Sequence, residues 1–160
     1  MSRHRFGFAL AAALLLAPLA AGSQSAPTPP AYRPGLGDLM TLTVQPRHLK
    51  LGLAGEQQNW RYAAYEVHEL EEAFERIARL VPKWRELDIA SLIASTVKQP
   101  LDALEEAAKA KSRPQFDDAY AKLTTACNAC HHSANLGMIV IQSPKTSSPF
   151  ANQDFRPQKP

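Results

Sequence analysis

Residues 112–132 read SRPQFDDAYAKLTTACNACHH, and their spacing predicts one long amphipathic helix. Apolar and thiol side chains recur in it at intervals of 4, 3, 4 and 3 residues, which places them on one helical face: Phe116, Tyr120, Leu123, Cys127 and Cys130. Ser112 is expected to be the N-cap, with Gln115 three residues later completing a capping box. Because the two cysteines continue the apolar stripe, they are expected to face the interior of a helical assembly.

The last turns of this helix carry the sequence Cys127-Asn128-Ala129-Cys130-His131. C-x-x-C-H is the attachment signature of a c-type haem, in which two thiols become thioethers and the histidine supplies an axial nitrogen to the iron. On a helix the three side chains project from one side. We therefore predict one covalent haem c, with Cys127 and Cys130 as attachment residues and His131 as the proximal iron ligand.

Two other kinds of site use the same residue types. C-x-x-C also occurs in thioredoxin-like redox sites, and with His131 and His132 the pair offers ligands for zinc. However, the chain has only these 2 cysteines, and no strand-rich pattern precedes the motif. A structural zinc site usually draws on two separated ligand pairs. A non-haem metal or thiol-disulfide module therefore ranks behind the haem interpretation.

The N-terminus predicts export. A basic start, Met1 to Arg5, is followed by an apolar run rich in Ala and Leu and then by small residues suited to cleavage, as in a secretory signal peptide. The run is too short to span a membrane, which needs about 20 apolar residues, so no membrane anchor is expected. The predicted organisation is a signal peptide (1–23), a disordered leader (24–35), a haem-binding bundle (36–135) and an extended tail packed on the bundle (136–160), in a periplasmic protein.

The charge balance gives no indication of a nucleic-acid partner. The chain has 18 Lys+Arg and 15 Asp+Glu, and removal of Arg3 and Arg5 with the signal leaves 16 cationic residues against 15 acidic ones. The charges are interspersed along helical segments, as on solvated faces. The chain also lacks G-x-S-x-G, P-loop and dinucleotide-binding motifs, so we do not expect a turnover enzyme.

Three further segments have helical periodicity. The first is expected to begin at an N-cap in Gly37-Asp38 and to stop at Gly55. The second runs from Asn59 to Val81 and ends before Pro82, with an apolar stripe and with glutamates, Glu66 among them, mostly on its other faces. Its stripe consists of Ala63, Val67, Leu70, Phe74, Ile77 and Val81.

The third segment extends from about Glu86 to Lys111 and must be kinked or split by Pro100. These three segments and the motif helix make four helices joined by short connections. The predicted fold is all-α, an antiparallel four-helix bundle with the haem on the last helix and an irregular C-terminal tail. In that tail, Met138 to Ile141 reads as an extended apolar strap.

With these features the chain resembles the cytochrome c-prime class of periplasmic haem proteins, and more closely a group of small bacterial c-type cytochrome-like proteins. The likeness covers nearly the whole of the predicted mature chain. It is carried by His48-Leu49-Lys50-Leu51, Ala54-Gly55, Asn59-Trp60, Ala63-Ala64-Tyr65-Glu66, Glu69-Leu70, Leu123-Thr124, the C-x-x-C-H motif, Ile139-Val140-Ile141, Pro149-Phe150, Asn152-Gln153 and Phe155. The resemblance implies a four-helix haem bundle with attachment at Cys127 and Cys130 and ligation by His131.

The resemblance also implies that the first helix covers the distal face of the haem, with a methionine ligand in some members and an apolar residue in five-coordinate ones. Met40, Val44 and Leu51 are expected to share a face, which makes Met40 the first candidate for the distal ligand. His48, about 80° around the helix, is the alternative, although packing of this histidine against the second helix is the favoured explanation of its presence. Met138 ranks low, and His68 and His132 are expected at the surface.

The expected function is single-electron transfer to an unidentified periplasmic redox partner. The alternative is a five-coordinate haem protein that binds a diatomic gas such as NO or CO, because an open sixth position favours gas binding over electron transfer. A haem enzyme such as a peroxidase would need a polar distal group, for which Arg47 and His48 are the candidates. Relatives of the cytochrome c-prime class often form homodimers, but this sequence offers no independent sign of one.

Overall fold

A computed structural model of the protein describes residues 31–144 and 155–157, and over these residues the chain is predominantly helical, as predicted. All the elements lie within one compact unit, Tyr32–Pro160. None of the helices described is long and apolar enough to cross a membrane. The elements are α1 (Leu36–Leu39), a π-helical stretch (Met40–Val44), α2 (Gln45–Glu56), α3 (Trp60–Leu80), β1 (Lys83–Trp84), β2 (Leu87–Asp88), α4 (Ile89–Thr96), α5 (Lys98–Lys109) and α6 (Arg113–Ser133).

The predicted signal peptide and most of the predicted leader lie outside the described residues. Residues 31–35 have no regular secondary structure, and helix α1 begins after Gly35, not at Gly37-Asp38. The Asp38 carboxylate accepts hydrogen bonds from the Gly35 N–H at 3.2 Å and from the Tyr32 hydroxyl at 3.1 Å. Asp38 therefore caps the helix from inside its first turn instead of preceding it.

The first helical segment passes through a π-helical stretch that the sequence did not predict. The N–H of Gln45 donates to the carbonyl of Met40, five residues before it. Pro46 supplies a physical reason, because it has no N–H to donate to Leu42 and its ring crowds that carbonyl in a regular α-helix. One wider turn ahead of the proline relieves this conflict and changes which side chains share a face.

Helix α3 agrees with the prediction. It has Asn59 as its N-cap, with the Asn59 side chain accepting from the Tyr62 N–H, and it buries the predicted stripe up to Ile77. The region after Pro82 differs, because an antiparallel hairpin pairs Lys83 with Asp88 and Trp84 with Leu87 before α4 begins. The break expected from Pro100 falls at Val97, between α4 and α5.

Gly55 does not end the first helical segment. It lies inside α2, where a Cβ atom would collide with the ring of Phe116 on α6. At Gly52 a Cβ would lie 2.6 Å from the Tyr120 hydroxyl oxygen. These two glycines therefore permit the close approach of α2 and α6, and the chain reverses instead at Gln58, which has a left-handed φ of 52°.

Helix α6 begins and ends near the predicted residues. Ser112 is its N-cap, but no side-chain hydrogen bond caps the helix there, so the predicted capping box is wrong. After α6, Asn135 adopts a left-handed φ of 57°, and the Leu136 N–H donates to the His131 carbonyl. Asparagine tolerates this conformation better than most residues, which makes it a suitable helix stop.

The helices pack as α2 on α3, α3 on α5, and α5 and α2 on α6. The core between them contains the stripes of α3 and α6 together with Leu51, Leu101 and Leu104.

One predicted surface residue lies inside this core: Glu66 on α3 is fully buried. Its carboxylate accepts from the Tyr62 hydroxyl at 2.5 Å and from the Arg47 guanidinium at 3.3 Å. Arg47 also reaches Glu69 at 2.8 Å.

Loss of Arg47 is expected to destabilise the protein more than its partial exposure suggests. In Arg47→Met the buried Glu66 carboxylate keeps its tyrosine hydrogen bond but loses its cation, a change that costs about 3 kcal/mol of the free energy of unfolding. Urea denaturation measures this loss. Arg76→Met, at an exposed position of α3, is the control and should change stability by less than about 0.5 kcal/mol. An equal effect of the two variants would contradict the proposed role of the pair.

The described part of the tail is irregular, as predicted. The chain turns at Gly137 and Met138, so the Met138–Ile141 strap is not fully extended. Further on, Phe155 is buried against Tyr62, and its carbonyl accepts from the Asn59 side chain at 3.0 Å. The likeness at Pro149-Phe150 and at Asn152-Gln153 falls outside the described residues.

Candidate functional site

A cavity of about 370 Å³ adjoins the C-x-x-C-H motif. The motif contributes Cys127, Cys130 and His131 to its lining, and the remaining walls are largely apolar. They come from the first helical segment, from α3, from the hairpin with α4, and from the residues after α6. The full lining is Leu36, Gly37, Met40, Thr41, Val44, Gln45, His48, Phe74, Trp84, Ile89, Ile93, Thr96, Val97, Cys127, Cys130, His131, Ala134, Leu136, Ile139 and Ile141. We call this space the motif cavity.

The two cysteines line the motif cavity as free, half-buried thiols. Burial raises the pKa of Cys127 to about 11, with a further contribution from Cys130, and burial also raises the pKa of Cys130. Thiols of disulfide oxidoreductases have the opposite property, a lowered pKa that makes thiolate available at neutral pH. The local environment therefore does not favour thiol-disulfide exchange.

The ring of His131 is fixed by the segment that follows α6. Its Nδ1 lies 2.9 Å from the carbonyl oxygen of Ile139. Because a carbonyl can only accept, Nδ1 is the protonated nitrogen, and in the neutral ring the lone pair is on Nε2. Histidines that bind metals usually have their second nitrogen held by such a partner. His131 therefore has the tautomer that a metal ligand needs.

Met40 lines the motif cavity from the first residue of the π-helical stretch. The predicted grouping of Met40 and Val44 with Leu51 is wrong, because His48 joins them at the cavity while Leu51 is buried elsewhere in the core. A π turn contains more residues than an α turn, so positions four apart remain closer to one face. Sequence spacing computed for an ideal α-helix could not show this.

His48 is buried and packs against α6, not against the second helix as expected. Its ring stacks on that of Tyr120, with centroids 4.7 Å apart. Nε2 lies 3.0 Å from the Thr124 hydroxyl, and the Tyr120 hydroxyl lies 3.1 Å from Nδ1 and 2.9 Å from the His48 carbonyl. Both ring nitrogens are therefore already hydrogen-bonded, which weakens His48 as a metal-ligand candidate.

The hydrogen bonds of Thr124 favour one neutral tautomer of His48. The Thr124 hydroxyl donates to the Tyr120 carbonyl at 2.9 Å, so it accepts from His48 Nε2–H. Nδ1 then carries the lone pair, and it shares the single proton of the Tyr120 hydroxyl with the His48 carbonyl, which lies closer at 2.9 Å. Burial lowers the pKa of His48 to about 4. A second proton would place a positive charge on this buried ring, and desolvation disfavours the charged form.

This environment predicts a stability change at mildly acidic pH. Unfolded His48 titrates near 6.5 and folded His48 near 4, so the unfolded state binds the additional proton first. The contribution of the neutral ring is complete above pH 6.5 and falls by about 3 kcal/mol as the pH drops to 4. Urea unfolding at several pH values measures it. In His48→Gln the slope between pH 6.5 and 4 should be smaller than in the wild type, and equal slopes would contradict the assignment.

The remaining candidates do not line the motif cavity. Arg47 points to Glu66 and Glu69, so it does not supply the polar distal group that a peroxidase would need. Met138 has 78% of its surface exposed. His68 and His132 are exposed, as predicted, and His68 lies 3.5 Å from Glu72.

Several cavity residues were missed at the sequence level. Trp84 reaches the cavity from the hairpin, which lies in the connection expected between the second and third helical segments, and Phe74 was assigned only to the core of α3. Within residues 31–144 and 155–157, no three His, Cys, Asp or Glu side chains are grouped to hold a metal ion. Comparisons with protein-family models, with curated proteins and with solved structures found no match for this chain.

Proposed function

We propose that this chain is a periplasmic monohaem c-type cytochrome that transfers single electrons. The observation that carries the proposal is the position of Cys127, Cys130 and His131, which line one largely apolar cavity together with a methionine from another helix. A bound haem c would supply an iron that cycles between the ferrous and ferric states. We also propose that the chain is related to the cytochrome c-prime class, as the resemblance indicates. Its helices would form a four-helix bundle with the haem on the last helix.

The residues around the motif cavity fit a haem. A cavity of about 370 Å³ falls in the range of cofactor and ligand sites, which are mostly apolar and contain a few placed polar groups. The protonation of His131 at Nδ1, inferred from its hydrogen bond to Ile139, leaves Nε2 available to iron. The raised pKa values of the two thiols make a thiol-disulfide module a poorer fit to this pair.

Each part of the cavity has a distinct role in the proposal. Cys127 and Cys130 hold the cofactor covalently, and His131 is the proximal ligand. Met40 is the distal ligand, because it lines the motif cavity and its thioether needs no proton change to bind iron. Apolar side chains such as Phe74 and Ile93 exclude water, which limits solvent reorganisation when the charge on the iron changes.

The packing of the helices supports a bundle. Helices α2, α3, α5 and α6 form a closed series of contacts, each against the next, and α6 returns to α2. A cofactor bound between facing helices is the usual arrangement in such bundles. The proposal includes export by the N-terminal signal, an electron-transfer partner in the periplasm, and no catalytic turnover. The proposal also includes the homodimer that the resemblance implies.

Absorption spectra test the proposed function. The full-length gene is expressed in a bacterial host with haem-attachment machinery, and the purified protein is measured oxidised, reduced, and reduced with carbon monoxide. Sharp, separate visible bands on reduction, unchanged by the gas, are expected for iron held by His131 and Met40. A reduced spectrum that shifts with carbon monoxide would favour the gas-binding alternative. A colourless protein would contradict both and favour a non-haem module.

A further inference from the structure

The residues that follow α6 fold back onto the helix that carries the motif. Three of them, Leu136, Ile139 and Ile141, line the motif cavity, although Ile139 is also exposed to solvent, as are Met138 and Val140. We call residues 136–141 the return segment. It has no regular secondary structure and turns at residues 137 and 138, so its position depends on specific contacts and not on a helix or sheet.

Asn128 makes the contacts that fix the far end of the return segment. Its side-chain Nδ2 donates to the Ile141 carbonyl at 2.9 Å, and its Oδ1 accepts from the Ile141 N–H at 2.8 Å. The amide thus pairs with both backbone groups of one residue, as a neighbouring strand would. Asn128 is one of the two variable positions of the C-x-x-C-H motif, so the requirement for haem attachment does not explain its presence.

The near end of the return segment is held by the motif histidine. The Leu136 N–H donates to the His131 carbonyl at 2.8 Å, and the Ile139 N–H donates to the Leu136 carbonyl at 2.9 Å. The Ile139 carbonyl then accepts from the His131 ring. Gly137 lies directly against His132, where a Cβ would be 2.8 Å from the ring nitrogen Nδ1. The orientation of the His131 ring therefore depends on where this segment lies.

We propose that Asn128 is a positioning residue for His131: its paired hydrogen bonds to Ile141 lock the return segment and so hold the Ile139 carbonyl against the His131 ring. This inference rests on the proposed function only where it concerns the iron. The hydrogen bond from Nδ1 makes Nε2 a stronger donor, which favours the ferric state. Asn128 thereby lowers the reduction potential without contacting the ligand itself.

Two variants test this role. Asn128→Leu keeps the size of the side chain, and Asn128→Ala removes it; both remove the hydrogen bonds and neither weakens intrinsic helix propensity. Thr125→Ala is the matched control, because the Thr125 hydroxyl is on the exposed side of α6 and bonds only to the Ala121 carbonyl. All proteins are isolated as full chains from the haem-attaching host.

The first measurement is amide hydrogen exchange over residues 134–143, read by mass spectrometry. Loss of two hydrogen bonds is expected to accelerate exchange there about tenfold in both Asn128 variants and not in Thr125→Ala. Unchanged exchange would overturn the lock. This result does not depend on the iron, because exchange is measured on the chain in whichever state it is isolated.

The second measurement is the reduction midpoint potential, which a purely structural effect on the tail would not move. A shift to a more positive potential is expected in both Asn128 variants, with no shift in Thr125→Ala. Faster exchange with an unchanged potential would overturn the positioning of His131. A wild-type protein without haem would contradict the proposed function instead, and it would be recognised at once from the absorption spectrum.

Discussion

Met40→Ala is expected to convert the iron from a gas-insensitive to a gas-binding centre. Met40 lines the motif cavity at the start of the π-helical stretch, and alanine in its place has no atom that can bind iron. With the sixth position open, the reduced spectrum should broaden and shift fully on addition of carbon monoxide. Titration with the gas at fixed protein concentration measures the effect.

Two comparisons make this experiment specific. His48→Gln should retain the spectrum of the wild type, because the His48 ring nitrogens are engaged by Thr124 and Tyr120. Leu42→Ala changes an exposed residue in the same π-helical stretch and should also have no effect. If His48→Gln opened the iron and Met40→Ala did not, histidine would be the distal ligand and the assignment of Met40 would be wrong.

Replacement of both cysteines by alanine is expected to abolish covalent haem. Cys127 and Cys130 are the only cysteines in the chain, so no other residue can form a thioether with the cofactor. After denaturation and extraction, the haem absorbance retained by the double variant should fall to background. The half-buried thiols occupy a helix in which alanine is well tolerated, so the fold should persist.

The control for this variant lies on the same helix. Ser133→Ala removes an exposed hydroxyl that bonds only to the Ala129 carbonyl, and it should retain the full haem absorbance. Circular dichroism of the double-cysteine variant checks that helix content is retained. Equal haem retention in the double-cysteine variant and in the wild type would mean that attachment does not involve these thiols.

The long helices could be predicted because their apolar periodicity agrees with how they pack. The stripe of α3 from Ala63 to Ile77 is buried as expected, and Pro100 correctly predicts a break in the third segment, which is found at Val97. The π-helical stretch and the hairpin could not be predicted, since Pro46 indicates a distortion without specifying its form, and strands of two residues carry too little pattern. Gly55 was wrongly predicted to end the first helix, because glycine is favoured both at helix ends and where two helices pack closely.

The site shows the same division between local and long-range information. The proximity of Cys127, Cys130 and His131 follows from helical spacing alone, so the motif gives it directly. The environment of His48 depends on Tyr120 and Thr124, more than seventy residues away, and no local pattern indicates that contact. The burial of Glu66 was missed for a similar reason, because its cation, Arg47, comes from another helix. The pairing of Asn128 with Ile141 depends on the path of an irregular segment.

The most direct test of covalent haem attachment is the intact mass of the denatured protein, measured together with its visible absorbance, after expression in a haem-attaching host. We expect a chain that has lost about 23 N-terminal residues to the signal peptidase, as in a secreted precursor. Its mass should exceed that of the polypeptide by one haem, which remains attached after denaturation. A denatured chain with the mass of the bare polypeptide and no haem absorbance would contradict the proposal that Cys127 and Cys130 carry haem c.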